Sequence, residues 1–231
     1  MALMKRFILF ALCLGVSINM AKNTPAAPGS GKIIVGLGDS TTAGTPGFFS
    51  PREAPPEGRG NPESQYAFWL MKAHPEWQVL NRGVRGQRTD QILSRFDYDV
   101  MRFSPEAVIL LAGVNDLHQG RSAEETQKGI RKLVERSLEA RLKVILCTVL
   151  PYNMALPEVS ERLLAVNVWI RAYAAEAGIS FCDTAAAVSD PANPARLAET
   201  PDRIHPGVDG YRRMAEVLSP VLEDLLKEGK S

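Results

Sequence analysis

Five short apolar runs, rich in β-branched residues and separated by helical patterns, constrain this sequence more than any other feature. They are Lys32–Gly38 (KIIVGLG), Trp77–Asn81 (WQVLN), Ala107–Ala112 (AVILLA), Lys143–Val149 (KVILCTV) and Ile179–Asp183 (ISFCD). Each is nearly continuous in apolar residues rather than alternating, the pattern of strands covered on both faces and therefore paired in parallel. Between them, Ala123 to about Leu142 carries Ile130, Leu133, Val134 and Leu138 on one stripe, and Ser122 with Glu125 forms a capping-box start. A second pattern, Ser160–Ala177, leads through Gly178 into the fifth run. The last, about Val208–Leu226, repeats Tyr211, Met214, Leu218 and Leu222, with Pro220 expected to kink it. Strand and helix in alternation make an α/β fold, with a parallel sheet between layers of helices.

The N-terminus stands apart from that pattern. Lys5 and Arg6 precede an apolar run from Phe7 to Ile18, and small and polar residues follow. This is the layout of a secretory signal, and the run is shorter than the ~20 residues a bilayer span needs. Residues 1–21 are therefore expected to be a signal peptide, 22–31 a linker by composition (NTPAAPGSG), and 32–229 the folded domain. The chain is then exported, periplasmic or secreted, with no integral membrane span after signal removal. Cys13 follows Leu12, where a lipoprotein signal wants a small residue, so no lipid anchor is read. Loss of Lys5 and Arg6 takes the formal net charge from +1 to −1. Neither value gives the basic field that nucleic acid needs. Three Cys and three His, with no C-x-x-C or H-E-x-x-H spacing, give no zinc framework. No metal and no cofactor is expected. Cys147 and Cys182 fall in strand runs and read as buried thiols, a disulfide being the alternative.

In open parallel sheets, ligands bind beyond the carboxyl ends of the strands, so chemistry is sought there. After the first run comes Gly38-Asp39-Ser40, a tight turn that leaves a hydroxyl at the sheet edge. After the second comes Asn81-Arg82-Gly83-Val84-Arg85-Gly86, whose two glycines let backbone N–H groups approach a ligand closely. After the third comes Gly113-Val114-Asn115-Asp116. An oxyanion hole needs rigid donors aimed where negative charge develops. The N–H groups of Ser40 and Gly83 and the Asn115 amide make three. Near the C-terminus lies Asp202-Arg203-Ile204-His205, in which one turn carries a base and a carboxylate to orient it. His74 reads as a surface loop residue. His118 either points into the same cleft or is a solvated loop imidazole, and His205 is preferred as the base.

Taken together and in this order, the four blocks resemble those of the SGNH (GDSL-type) hydrolase family. The resemblance runs from about residue 32 to the C-terminal helix, with Thr41 standing where the usual motif has Leu. It implies a flavodoxin-like three-layer α/β/α sandwich around a five-stranded parallel sheet, and ester hydrolysis without metal or cofactor. It further implies Ser40 as nucleophile, His205 as general base and then acid, Asp202 as its orienter, and Ser40, Gly83 and Asn115 as the oxyanion hole. Asp39, Thr41, Arg85, Val114 and Ile204, next to these groups, are the expected substrate contacts.

Substrate identity is less legible. Residues 44–64 hold five prolines, four glycines and the pair Phe48-Phe49. A loop of this length beside a nucleophile is either a lid or pocket wall with the phenylalanines as contacts, or a surface loop whose phenylalanines fold back on the core. Arg82, Arg85 and Arg88 recur every third residue, and either bind an anionic substrate group or form a solvated face paired with acids such as Asp90. Export favours a small-molecule or glycan ester, with acetyl esters of carbohydrate foremost. Lipid esters or thioesters, acyl transfer to an alcohol, and a catalytically silent carbohydrate-binding role are the other readings.

Overall fold

In the computed structural model, which describes residues 31–227, the five apolar runs become strands of one sheet. They are β1 (Lys32–Gly38), β2 (Trp77–Gly83), β3 (Ala107–Leu111), β4 (Lys143–Cys147) and β5 (Ser180–Cys182). All neighbouring pairs are parallel, in the order β2-β1-β3-β4-β5. That order is the flavodoxin one, and it places a topological switch point at the carboxyl ends of β1 and β3. The signal and linker segments expected at 1–30 lie outside the described residues.

Successive strand residues point to opposite faces, so each face takes its own set of helices. Val35, Leu37, Val108, Leu110, Val144 and Leu146 form one core with α2 (Thr89–Ser94), α3 (Ala123–Glu139) and α4 (Pro157–Glu176). Ile34, Ile109, Leu111, Ile145 and Cys147 form the other with α1 (Tyr66–Ala73) and α5 (Val208–Lys227). The result is the three-layer sandwich. Leu218 and Leu222 of α5 are fully enclosed, and burial of each such side chain contributes roughly 1.5–3 kcal/mol. The capping box of Ser122 and Glu125 opens α3. One expectation shifts at a helix end. α4 starts at Pro157 rather than Ser160, because proline at the first helical position gives up a donor the helix does not use there. Pro220 sits inside α5, which continues to Lys227.

Cys147 and Cys182 face one another as register partners on β4 and β5, both buried and both free thiols. Burial, with the neighbouring Cys182, pushes the Cys147 thiol above its usual range. Among the described residues no helix is long and apolar enough to cross a membrane.

Candidate active site

β1 ends at Gly38, where a Cβ would fall 2.2 Å from both the Leu111 carbonyl oxygen and the Thr42 hydroxyl. Only glycine allows the chain to turn so close to β3. Asp39 then caps a short helical turn, Ser40–Ala43, its Oδ1 accepting the Thr41 N–H at 3.0 Å. Gly44 closes the turn with φ of 100°. Asp39 is buried, and burial, reinforced by the charge of Asp116, pushes its carboxyl pKa up to about 7 against the pull of the Thr41 N–H and Arg95. Ser40 opens the turn, where backbone N–H groups have no partner within the helix.

The Asp202–His205 turn lies opposite. Its tightness comes from Asp202, whose Oδ1 accepts the backbone N–H of both Ile204 (2.9 Å) and His205 (2.8 Å), and from Arg203 at φ of 68°. The other carboxylate oxygen is 2.7 Å from His205 Nδ1, and His205 Nε2 is 2.9 Å from Ser40 Oγ. Burial raises the Asp202 pKa, but the bonds from the His205 side chain and the two backbone N–H groups outweigh it and hold the carboxyl below the usual range. An ionised carboxylate therefore fixes the imidazole, which in turn meets the hydroxyl. α5 anchors the arrangement from below, since the buried Tyr211 hydroxyl donates to the Thr45 carbonyl at 2.8 Å.

A cavity of about 310 Å³ opens over Ser40 and His205, with Val114, Leu150, Met154 and Ile204 as apolar wall. Two candidate donors face it beside the Ser40 N–H. Asn115 is held by one amide hydrogen on the Gln87 carbonyl (3.1 Å), leaving the second unpartnered among the described residues. Gly86, at φ of 72°, lines the cavity while its carbonyl accepts from Gln119 Nε2. The loops carrying these donors are joined by Asp116, which takes the backbone N–H (2.9 Å) and hydroxyl (2.7 Å) of Thr89.

Residues 37–213 match the GDSL-like lipase/acylhydrolase family. The chain belongs to it. As a GDSL-type acylhydrolase it is an enzyme that cleaves ester bonds. Among curated proteins it is 26% identical to an acetylxylan esterase of Geobacillus stearothermophilus over 81% of this chain and 92% of that one. It is 28% identical to an uncharacterized lipoprotein of Bacillus subtilis over 64% of this chain, a match that spans 58% of the lipoprotein's length. The solved structure of an acetylxylan esterase from Geobacillus stearothermophilus superposes with a TM-score of 0.64 at 25% identity, covering 84% of this chain and 95% of the esterase. A G-D-S-L family protein of Desulfitobacterium hafniense gives a TM-score of 0.69 at 27% identity, covering 82% and 99%.

Within this GDSL-type site several sequence expectations are corrected. Gly83 does not offer its N–H to the cavity: that N–H is bonded to Asn81 Oδ1 at 3.0 Å. A Cβ at Gly83 would lie 2.1 Å from the Ala43 nitrogen, so this glycine lets the end of β2 pack against the Ser40–Ala43 turn, while Gly86 faces the cavity. Asp39 lies beneath the turn rather than in the cavity wall, because its side chain caps the helix. Thr41, Arg85, Val114 and Ile204 do line the cavity. Phe48 folds back on its own hairpin and Phe49 lies beneath the Arg85 and Arg59 guanidiniums, and neither lines the cavity. Of the two readings left open for His118, the structure puts it at the exposed edge of this cavity, 3.1 Å from the Tyr152 hydroxyl. His74 is no free loop residue either: it stacks on Trp77 at 3.8 Å and meets Ser219 of α5.

The sequence reading missed what holds the strand ends. Arg95 donates to the carbonyls of Gly38 and Arg82, both at 2.7 Å, and to Gln87, while Asp99, fully buried, takes both Arg95 and Arg82. These contacts tie β1, β2 and the Gln87 loop together under Ser40. Their one sequence signal is Asp99 itself, an acid within an apolar helical stretch.

Proposed function

We propose that the chain is a serine esterase in which Ser40 attacks the ester carbonyl, His205 takes and returns the proton, and Asp202 holds the imidazole. The observation that carries this reading is the unbroken series Asp202–His205–Ser40, at 2.7 and 2.9 Å, on the wall of an otherwise largely apolar cavity. In the first step the Ser40 Oγ–carbonyl bond forms as the proton passes to His205 Nε2. The tetrahedral oxyanion is held by the N–H groups of Ser40 and Gly86 and the Asn115 amide, donors already fixed in place before the charge develops. His205 then gives its proton to the departing alcohol. Water, deprotonated by His205, attacks the acyl-enzyme in the second step; the Oγ–acyl bond breaks as His205 returns that proton to Ser40 Oγ, and the acid is freed. The charge-assisted bond to Asp202 stabilises the imidazolium that exists between these transfers.

The substrate is a short-chain ester, with an acetylated carbohydrate as the favoured class. The size of the cavity, at the small end of ligand pockets, supports a short acyl group, and the acetylxylan esterase relative supports a sugar. Residues 1–21 are read as an export signal, which places the enzyme outside the cytoplasm. N-terminal sequencing of the exported chain checks it, and an intact Met1 overturns it. The function is tested by p-nitrophenyl acetate, butyrate and octanoate hydrolysis, with Ser40→Ala alongside. Ser40-dependent release favouring acetate is expected, with acetylated xylan as the next substrate. Preference for octanoate moves the substrate class to lipid esters, and equal activity in Ser40→Ala overturns the mechanism.

A further inference from the structure

Arg85 is the one arginine of its loop whose side chain is both braced and unfinished. Its Nε donates to Glu53 Oε1 at 2.8 Å, the same oxygen takes the Arg85 backbone N–H at 3.0 Å, and Glu53 is itself held by the Ser50 N–H through its other oxygen. The flat guanidinium lies 4.1 Å over the Phe49 ring. Three contacts thus fix where the fork stands, yet neither terminal amino group has a partner among the described residues. Its neighbours differ. Arg88 spends both amino groups on Asp90 and Gln119, Arg82 turns inward to Asp99, and Arg95 is saturated on Gly38, Arg82 and Asp99. Arg85 also lines the cavity over Ser40, and no carboxylate lines that cavity. A fixed planar group whose Nε is taken by Glu53 and whose two amino groups remain open matches the two oxygens of a carboxylate or the oxygens of a sulfate or phosphate.

We infer that Arg85 is a specificity site for an anionic group on the ester, so that the natural substrate is a charged ester such as an acylated acidic sugar. The inference rests on the esterase reading above. Its chemistry is the same whether the charge sits on the acyl or the alcohol half, and two matched pairs separate these. para-Acetoxybenzoate against para-acetoxybenzamide places the charge on the alcohol half. p-Nitrophenyl hemiglutarate against p-nitrophenyl valerate places it on the acyl half.

The readout is the ratio of kcat/KM for the anionic over the neutral member, corrected for uncatalysed hydrolysis, in wild type, Arg85→Gln, Arg85→Lys and Arg59→Gln. In at least one pair Arg85→Gln is expected to lower the ratio by about tenfold or more, mainly through KM, as befits loss of a charge-assisted pair. Arg85→Lys recovers part of it, since an ammonium keeps the charge without the fork. Arg59→Gln, whose guanidinium also meets Phe49 but does not line the cavity, keeps the wild-type ratio. Should glutamine at 85 unfold the chain by stranding Glu53, the double change Glu53→Gln with Arg85→Gln serves, removing both charges together. An unchanged ratio in both pairs, with Ser40-dependent hydrolysis intact, overturns the inference and leaves the esterase reading standing. An equal fall in Arg59→Gln also overturns it, by making the effect a general field. Absence of Ser40-dependent hydrolysis in every pair overturns the esterase reading and this inference with it.

Discussion

Asp39 allows a quantitative test of the packing beneath the nucleophile. The carboxyl is buried, it caps the Ser40–Ala43 turn, and its pKa is raised to about 7 chiefly by burial. In the unfolded chain it titrates near 3.9. Between those values the folded state holds a proton that the unfolded state has lost, so stability falls as pH rises from about 4 to about 7 and then levels off. At about 1.36 kcal/mol for each tenfold of proton activity, the interval comes to about 4 kcal/mol of stability withheld at alkaline pH. Asn is the same shape as the protonated carboxyl and keeps the oxygen that accepts the Thr41 N–H. Asp39→Asn is therefore expected to match wild type at acid pH and to exceed it above pH ~7.5 by a margin approaching that figure. For a domain of this size each 1 kcal/mol moves Tm by roughly 2–4 °C, so the difference is large enough for thermal denaturation across the pH range to resolve. The difference between the two proteins is the quantity to follow, because other titrating groups cancel in it. A variant whose Tm runs parallel to wild type from acid to alkaline pH, or lies below it throughout, refutes the reasoning.

Two further outcomes follow from the site. Asn115→Ala removes a proposed oxyanion donor and is expected to lower kcat by about 100-fold or more with KM little changed; steady-state kinetics on the best ester checks it, and a pure KM effect contradicts it. Gly83→Ala drives a methyl group into the Ala43 backbone and is expected to cost about 3 kcal/mol or more in urea denaturation. Gly86→Ala meets no atom within 4 Å and is expected to cost less stability, its penalty being the backbone angle, so equal losses at the two glycines contradict their separate assignments.

The fold was legible because its determinants are local. The five runs, the capping box at Ser122 and the helical stripes each declare themselves within a few residues, while the flavodoxin-like strand order came only with the resemblance the four blocks carry. The four blocks were legible for the same reason: a turn residue at a strand end is a local signal. What escaped depends on residues far apart. Gly83 and Gly86 lie in one loop, and which of their N–H groups reaches the cavity is set by Asn81, whose amide also bridges Ala43 and Gln65. Arg82 stood open between an anionic ligand and a solvated face paired with acids such as Asp90, yet it turns inward to Asp99. His74 is held by Ser219, 145 positions along the chain. Phe48 and Phe49 stood open between pocket and core because the hairpin that turns them from the cavity closes only through pairing with Arg59 and Gly60.

The wide separation between Ser40 and His205, 165 positions along the chain, has a temporal consequence. Ser40, the proposed nucleophile, directly follows β1, while His205 and Asp202, its proposed base and orienter, come on the turn before α5, a helix that packs on one face of the sheet. A nascent chain, or one whose final helix has not docked, carries the hydroxyl without the imidazole and has nothing to activate it. On the proposed mechanism, hydrolytic competence arrives together with completion of the fold, and loosening the C-terminal helix is expected to silence the enzyme twice over, by parting His205 from Ser40 and by releasing the Thr45 carbonyl that Tyr211 holds.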